Sequence, residues 1–216
     1  MKKFVCKHPW THFEVNNPNG DVTMCCDNNT VLGNVHLETI EEVWNGQGYQ
    51  KIRQTMRDKG AHAICPHTCP VIAGFKKWQE LDWYKDLAKD TQVYANAELN
   101  EKEFDDGQIE LQSKPRWMRF CYSFACNLDC YHCYQREEAK VNQTLPDRFV
   151  DEVYELAKNY QMIYFFGGEP FMYKPVVKMM GDISTPADCR YCIITNATLL
   201  TPSVMAMLET KNIGIF

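Results

Sequence analysis

Three cysteines in one short loop constrain this chain more than any other feature of its sequence. Three residues separate Cys126 from Cys130 and two separate Cys130 from Cys133, so the three thiolates can converge on one compact metal centre. Thiolate is the ligand that iron–sulfur clusters prefer, and three local ligands leave one iron of a four-iron cluster open. A zinc ribbon is the alternative, although structural zinc usually takes four protein ligands. The spacing therefore predicts an iron–sulfur site with an open position.

Alternating strands and helices surround this loop. Hydrophobic periodicity predicts strands at 117–121, 162–166, 191–194 and 213–216. It also predicts helices at 146–158 and 175–180. A third helix is expected to begin at Thr201–Pro202, because threonine is a typical N-cap residue and proline is common in the first turn. Such alternation is typical of parallel βα units. We therefore expect an α/β fold for residues 116–216.

The region before the loop has a different pattern. Residues 11–26 are typical of a β-hairpin, and two amphipathic helices are predicted between 39 and 59. A further helix is predicted over 76–88, and the acidic residues between 95 and 110 indicate a solvated connector. We therefore divide the chain into a small α+β cysteine-rich domain (1–75), a helix with an acidic linker (76–115) and an α/β domain (116–216).

The composition of the chain indicates which kinds of binding partner and which cellular compartment to expect. The net charge of −5 and the pI near 5.7 give no broad basic surface, so we expect no nucleic-acid partner. The sequence shows neither a signal peptide nor an apolar run long enough to span a membrane. Clustering of the eleven cysteines favours metal ligation in a reducing compartment. We expect a cytoplasmic protein without a membrane partner.

Two later motifs make the cysteine loop specific. Gly167-Gly168-Glu169-Pro170 follows the second predicted strand of the α/β domain, and Thr195-Asn196 follows the third. Three motifs in this order, each after a strand, resemble the radical S-adenosylmethionine (radical SAM) superfamily. The resemblance implies a partial TIM-like (β/α) barrel, a [4Fe-4S] cluster on Cys126, Cys130 and Cys133, and bound S-adenosylmethionine.

The same resemblance assigns cofactor-binding residues and a reaction. In the family, the Gly-Gly-Glu-Pro motif contacts the amino group of the methionine moiety, and His132 stands where an aromatic residue usually lies near the adenine. The implied cofactor-binding set is His132, Gly167, Gly168, Glu169, Pro170, Thr195 and Asn196. The family reductively cleaves S-adenosylmethionine to a 5′-deoxyadenosyl radical that abstracts hydrogen. A radical enzyme of the oxidoreductase type is implied, with a reductant such as flavodoxin or ferredoxin.

Five cysteines of the first region form a second candidate site. Together with Pro9-Trp10, Gly20, Leu32-Gly33-Asn34, Glu42-Val43-Trp44-Asn45 and Arg53, they resemble the SPASM/twitch auxiliary-cluster domain of peptide- and protein-modifying members of this superfamily. The resemblance implies an auxiliary cluster on Cys6, Cys25, Cys65 and Cys69, and a peptide or protein substrate. Cys26 is the alternative to Cys25. A four-cysteine zinc site is the alternative to the cluster, and His8, His62 and His67 are alternative ligands.

The length of the α/β domain and the cysteines outside the two candidate sites give further expectations. From residue 116 there is room for about three βα units, fewer than the family's partial barrel normally contains, so we expect a truncated barrel. We expect Cys121, Cys189 and Cys192 to be small buried hydrophobic residues rather than ligands. The alternative functions are a non-catalytic iron–sulfur electron-transfer or binding module and a zinc-stabilised interaction protein.

Overall fold

The strands of this protein join into one mixed sheet. The computed structural model describes residues 5–73, 82–137, 142–182, 189–210 and 213–215. Within them the strands are β1 (His12–Val15), β2 (Asp21–Thr23), β3 (Gly33–Asn34), β4 (Trp117–Cys121), β5 (Met162–Phe166), β6 (Arg190–Ile193) and β7 (Ile213–Ile215). Their order across the sheet is β3-β2-β1-β4-β5-β6-β7.

Helices connect most of these strands. They are α1 (His8–Thr11), α2 (Ile40–Trp44), α3 (Gln47–Lys59), α4 (Gln92–Asp105), α5 (Asp147–Leu156), α6 (Lys174–Asp182) and α7 (Pro202–Leu208). Short 3-10 turns lie at Ala61–Ala63, Asp82–Asp86, Ala157–Asn159 and Pro170–Met172. None of the helices in the described ranges combines the length and the apolar character that crossing a bilayer requires.

The α/β half has the predicted parallel arrangement. Strands β4, β5, β6 and β7 pair in parallel in chain order, with helices in the connections, so the mixed α/β class with a parallel sheet is confirmed. Helix α7 begins as predicted, because the Thr201 hydroxyl accepts a hydrogen bond from the Val204 amide at 3.4 Å and Pro202 occupies the first turn.

The amino-terminal hairpin is confirmed, and it joins the same sheet. Strand β1 pairs antiparallel with β2 and parallel with β4, so that Glu14 lies opposite Arg119. One hydrophobic core contains Phe13 and Val43 from the first region and Phe120 and Phe149 from the α/β half. The sheet and the core therefore cross the predicted boundary, and the division into separate domains stays a prediction.

The segment expected to be a solvated connector contains helix α4. The Thr91 hydroxyl caps this helix by accepting from the Tyr94 amide at 3.2 Å. Its inner face is polar but buried: the Asn96 amide donates to the Lys114 and Asn159 carbonyls, both at 3.1 Å. Our expectation failed here because buried asparagines, which replace apolar periodicity, have the same sequence signature as a solvated segment.

The first six residues of the helix predicted over 76–88 lie outside the described residues, because 74–81 are not described. Its last part forms the 3-10 turn Asp82–Asp86. The Trp83 ring of this turn lies 4.2 Å from the guanidinium carbon of Arg190 on β6, so the turn packs at the amino-terminal end of the parallel strands.

Candidate functional site

The loop after β4 and the segments after β5 and β6 surround one cavity of about 400 Å³. The three cysteines Cys126, Cys130 and Cys133 line it, each of them partly buried. The other predicted residues that line it are His132, Gly167, Gly168, Thr195 and Asn196. The carboxyl ends of neighbouring parallel strands lie at the same edge of the sheet, which is where ligands bind in α/β folds. Motifs up to 70 residues apart in sequence thus meet here.

Hydrogen bonds hold the cysteine loop against the segment after β6. The Asn196 side-chain amide donates to the Cys126 sulfur at 3.5 Å and to the Asn127 side-chain oxygen Oδ1 at 3.0 Å. Asn127 in turn donates to the Thr198 hydroxyl at 2.8 Å. Asn127 and Thr198 were not among the predicted site residues, although Asn127 lies within the cysteine loop and Thr198 lies two residues after Asn196.

The two glycines of the second motif allow the turn after β5 to dock against the cysteine loop. Gly167 has a φ of +131°, a conformation that side chains disfavour. A Cβ atom on Gly168 would overlap the backbone carbonyl of Ala125. The Gly168 amide also donates to the Ser123 carbonyl at 3.0 Å. Both positions therefore need glycine for a close approach of two backbones.

Glu169 and Pro170 lie behind the cavity wall. Glu169 is fully buried, and its carboxylate accepts from the Thr195 hydroxyl at 2.8 and 2.9 Å and from the Asn196 amide at 2.9 Å. It also accepts from the Phe171 amide at 3.1 Å in the turn that Pro170 begins. In the described structure Glu169 fastens the second motif to the third.

The cavity fits an iron–sulfur cluster with a further ligand. Each thiolate of a cluster binds a different iron, so three cysteines must line a shared cavity and need not meet at one point. No three potential ligands within the described ranges lie close enough to hold a single metal ion. Thiolate donors on one side, with backbone and amide groups opposite, suit a cluster and a polar cofactor.

The four amino-terminal cysteines lie near one another. Burial, with smaller contributions from the nearby Cys65 and Cys69, raises the pKa of the Cys6 thiol to about 12. Burial also raises the pKa of Cys65 to about 11, with a contribution from Cys69. The pKa of Cys25 is raised by its burial, with smaller contributions that include Cys6. The four predicted auxiliary ligands therefore interact electrostatically.

Cys26 interacts with charged side chains rather than with Cys6, Cys65 or Cys69. It is exposed, and burial of its thiol together with the Glu14 charge raises its pKa, whereas Arg119 lowers it. The candidate ligands His62 and His67 are exposed, and the His8 ring packs 3.9 Å from that of His12. These positions favour Cys25, and its assignment as a ligand stays a prediction.

Cys121, Cys189 and Cys192 are buried, as expected from sequence. Cys121 packs with Phe124 and Phe166 in a small hydrophobic cluster next to the cysteine loop. Cys189 and Cys192 lie at the start of β6 and within it. Burial raises the thiol pKa of Cys121 to about 12.

Two sequence models match the chain. A model described as the radical SAM superfamily matches residues 121–214. A second model, SPASM, described as an iron–sulfur cluster-binding domain, matches residues 6–70. Together the two matches imply [4Fe-4S] clusters and S-adenosylmethionine as cofactors.

Two curated relatives share part of the sequence. An AdoMet-dependent heme synthase of Methanosarcina barkeri is 30% identical over 110 residues, which cover 49% of this chain and 31% of the relative. A GTPase Obg of Brachyspira hyodysenteriae is 37% identical over 84 residues, covering 35% of this chain and 12% of that protein. The matched part thus amounts to less than a third of each relative's length. No solved structure matches the chain.

Proposed function

We propose that this chain, which matches the radical SAM superfamily over residues 121–214 and an iron–sulfur cluster-binding domain over residues 6–70, is a radical enzyme, or part of one, that reductively cleaves S-adenosylmethionine. In this proposal Cys126, Cys130 and Cys133 bind the [4Fe-4S] cluster, and the cavity beside them holds the cofactor. The relative from M. barkeri, which is named for an AdoMet-dependent reaction, supports the use of this cofactor.

The observation that carries the proposal is the shared cavity of about 400 Å³. Three separate motifs contribute to its wall, and none of them alone would indicate more than a metal loop or a strand-ending turn. An electron carrier needs a closed set of four ligands, whereas three cysteines beside an open cavity leave room for a ligand on the fourth iron.

The residues of the chain have distinct roles in this proposal. When bound, the cluster and S-adenosylmethionine supply one-electron chemistry and a 5′-deoxyadenosyl radical. Gly167 and Gly168 keep the cavity wall free of side chains so that the methionine moiety can approach the backbone. Glu169 holds Thr195 and the Asn196 amide in place, and exposed His132 lies at the rim, where it can stack on the adenine.

The amino-terminal cysteines support the finer part of the proposal. We propose that Cys6, Cys25, Cys65 and Cys69 bind an auxiliary cluster and that the substrate is a peptide or protein. The match of residues 6–70 to an iron–sulfur cluster-binding domain supports the cluster. The peptide substrate rests on the resemblance to peptide-modifying members.

Two further proposals concern the surroundings of the enzyme. A flavodoxin or ferredoxin would supply the electron, because the family requires a low-potential reductant. We also propose a cytoplasmic location, which the eleven free cysteines support because thiols persist in a reducing compartment.

Anaerobic reconstitution followed by assay under dithionite tests the proposed function. The wild-type chain should bind S-adenosylmethionine and release 5′-deoxyadenosine, and Cys126→Ala should do neither. Cys189→Ala is the matched control, because it removes a buried cysteine that lies outside both candidate sites.

Two outcomes would contradict the proposal. Tightly bound zinc without iron would indicate a zinc-stabilised interaction protein. Iron without S-adenosylmethionine binding would indicate an electron-transfer module. Because this chain matches less than a third of its relatives' length, turnover is measured in parallel on the longest natural form of the protein.

A further inference from the structure

One row of side chains crosses the sheet on the face opposite the helices. Residues directly opposite each other on neighbouring strands point to the same face. The strand pairings align Glu14, Arg119, Tyr164 and Cys192, which we name the cross-strand row. Arg119 precedes Cys121 by two residues on β4, so the row runs beside the end of the sheet that carries the cofactor motifs.

This face is separate from the main core. Phe120 and Phe165, on the other face of β4 and β5, belong to the core that packs under the helices. On the face of the cross-strand row, Cys121 and Phe166 belong to a smaller cluster, against which Tyr164 packs. Phe124 of this cluster also lines the candidate cavity, so the row lies near it.

Arg119 supplies a positive charge to this row. Its Nη1 donates to Glu14 Oε2 at 3.1 Å. Its guanidinium carbon lies 4.3 Å from the centre of the Phe166 ring and 5.3 Å from that of Tyr164. The side chain is 20% exposed. The guanidinium is therefore held against aromatic rings while part of it stays accessible.

Two buried N–H groups on β4 have no hydrogen-bond partner among the described residues. They are Nε of Arg119 and Nε1 of Trp117. Residues two apart on a strand share a face, and the Trp117 ring stacks 4.7 Å from that of His12 and 6.5 Å from that of Tyr164. Buried donors without partners are rare in native proteins. Both groups can only donate, so both suit the oxygen atoms of an acceptor.

We propose that Arg119 and Trp117 bind a carboxylate of the substrate. Arginine recognises a carboxylate through several parallel N–H donors, and the rings of Tyr164 and Phe166 provide a surface for an adjoining aromatic or apolar group. This inference rests on the proposed function and names its substrate class. The substrate is a peptide segment whose acidic side chain or terminal carboxylate lies beside an aromatic side chain.

The simpler explanation is that Arg119 only attaches β1 to β4 through Glu14. That pairing uses one nitrogen and one carboxylate oxygen, and a further interaction goes to the Cys26 thiol, whereas a guanidinium has five N–H donors. It also leaves the Trp117 donor unexplained. Glu14 therefore orients Arg119 and, in the absence of substrate, competes with the substrate carboxylate for it.

Binding of a small probe tests the carboxylate site. The probe is N-acetylphenylalanine, which carries a carboxylate beside an aromatic ring, and its neutral amide is the matched control. The reconstituted protein is titrated with each compound, and binding is followed by NMR through the signal of the ¹⁵N-bound indole proton of Trp117. The loss of this signal in Trp117→Phe assigns it. The carboxylate should shift this signal saturably, and the amide should not shift it at the same concentration.

Variants separate recognition from structure. Arg119→Met should weaken binding of N-acetylphenylalanine by about tenfold or more, because a charge-assisted hydrogen bond is lost. Glu14→Gln should tighten it, because the competing negative charge is removed. Arg57→Met is the control, since Arg57 is an exposed arginine whose hydrogen bonds go to Asp58 and the Gly107 carbonyl.

Failure of the carboxylate site and failure of the proposed function give different experimental results. Equal shifts by acid and amide, full affinity in Arg119→Met, or weaker binding in Glu14→Gln would each overturn the carboxylate site. Binding of S-adenosylmethionine is measured on the same samples and should survive in Arg119→Met. Its absence in the wild-type protein would refute the proposed function while leaving the result at Arg119 intact.

Discussion

At the scale of single residues, Glu169 shows how the cavity is held together. The motif in which it lies predicted that it contacts the cofactor. The alternative was an ordinary carboxylate exposed to solvent. Full burial and four hydrogen bonds to the segment after β6 and the Phe171 amide instead make it the link between two motifs. Sequence gave no sign of this burial, because it depends on contacts between residues 26 and 27 positions apart.

Glu169→Gln tests this link. The glutamine side-chain NH2 would face N–H and O–H donors, so we expect the free energy of unfolding to fall by about 2 kcal/mol, with weaker binding of S-adenosylmethionine. Urea denaturation of the cluster-free protein under reducing conditions checks the first effect. Glu155→Gln on the exposed side of α5 is the control, and an equally small effect of both variants would contradict the assigned role.

Gly168→Ala tests the close approach of the two backbones. The added methyl group would overlap the Ala125 carbonyl, so the variant should lose about 2–3 kcal/mol of stability and retain less iron at the Cys126 loop. Gly181→Ala is the matched control within α6. Its Cβ would lie 3.2 Å from the flexible Met207 side chain, so stability should stay constant or rise by about 0.5 kcal/mol. Tolerance at both positions would refute the packing argument.

At the scale of elements, those with a clear local hydrophobic pattern were predicted correctly, whereas a helix held by long-range polar contacts was missed. The bounds of β4 and β5 matched the prediction, because alternating burial gives strands a clear period. Helix α4 was missed, because Asn96, Asn100 and Glu103 make its buried face polar. Their hydrogen bonds to the 113–114 segment replace apolar packing, and no local periodicity reports them.

Glu101 on α4 gives a prediction about pH. Burial alone would raise its pKa, but hydrogen bonds and charges from Lys7 and Arg116 outweigh this and lower the pKa. The ionised carboxylate is thus favoured by the folded state. Its stabilising contribution is present above the pKa of the unfolded chain, about 4.3, and is lost as pH falls through the lower folded value.

Glu101→Gln should therefore destabilise the protein near neutral pH and matter progressively less below about pH 5. Paired urea denaturations of wild type and variant from neutral pH down to about pH 3, both without clusters, measure the difference. A difference that grows as pH falls would contradict the assigned direction of the pKa shift.

At the scale of the whole molecule, the unpredicted feature is the pairing of β1 with β4. It joins the auxiliary-site hairpin to the edge of the parallel strands across about 100 residues of sequence, and local patterns carry no information about such pairings. The candidate cofactor cavity was easier to predict, since its three motifs each follow a strand and parallel strands present their carboxyl ends at one edge.

Two clusters in one molecule predict a simple iron balance. Cys126→Ala and Cys6→Ala should each lose about half of the reconstituted iron, because each disrupts one cluster and leaves the other. Cys26→Ala should retain nearly all of it, since Cys26 is exposed and interacts with Glu14, Asp27 and Arg119 instead of the predicted ligands Cys6, Cys65 and Cys69. Full iron in Cys6→Ala would contradict the auxiliary cluster.

Electron paramagnetic resonance of the reduced protein tests the central claim most directly. If the fourth iron beside Cys126, Cys130 and Cys133 is open to the cofactor, adding S-adenosylmethionine must change the spectrum of the reduced [4Fe-4S] cluster. We predict this change in the wild-type protein and in Cys6→Ala, and no such response in Cys126→Ala. A wild-type spectrum that S-adenosylmethionine leaves unchanged would contradict this prediction.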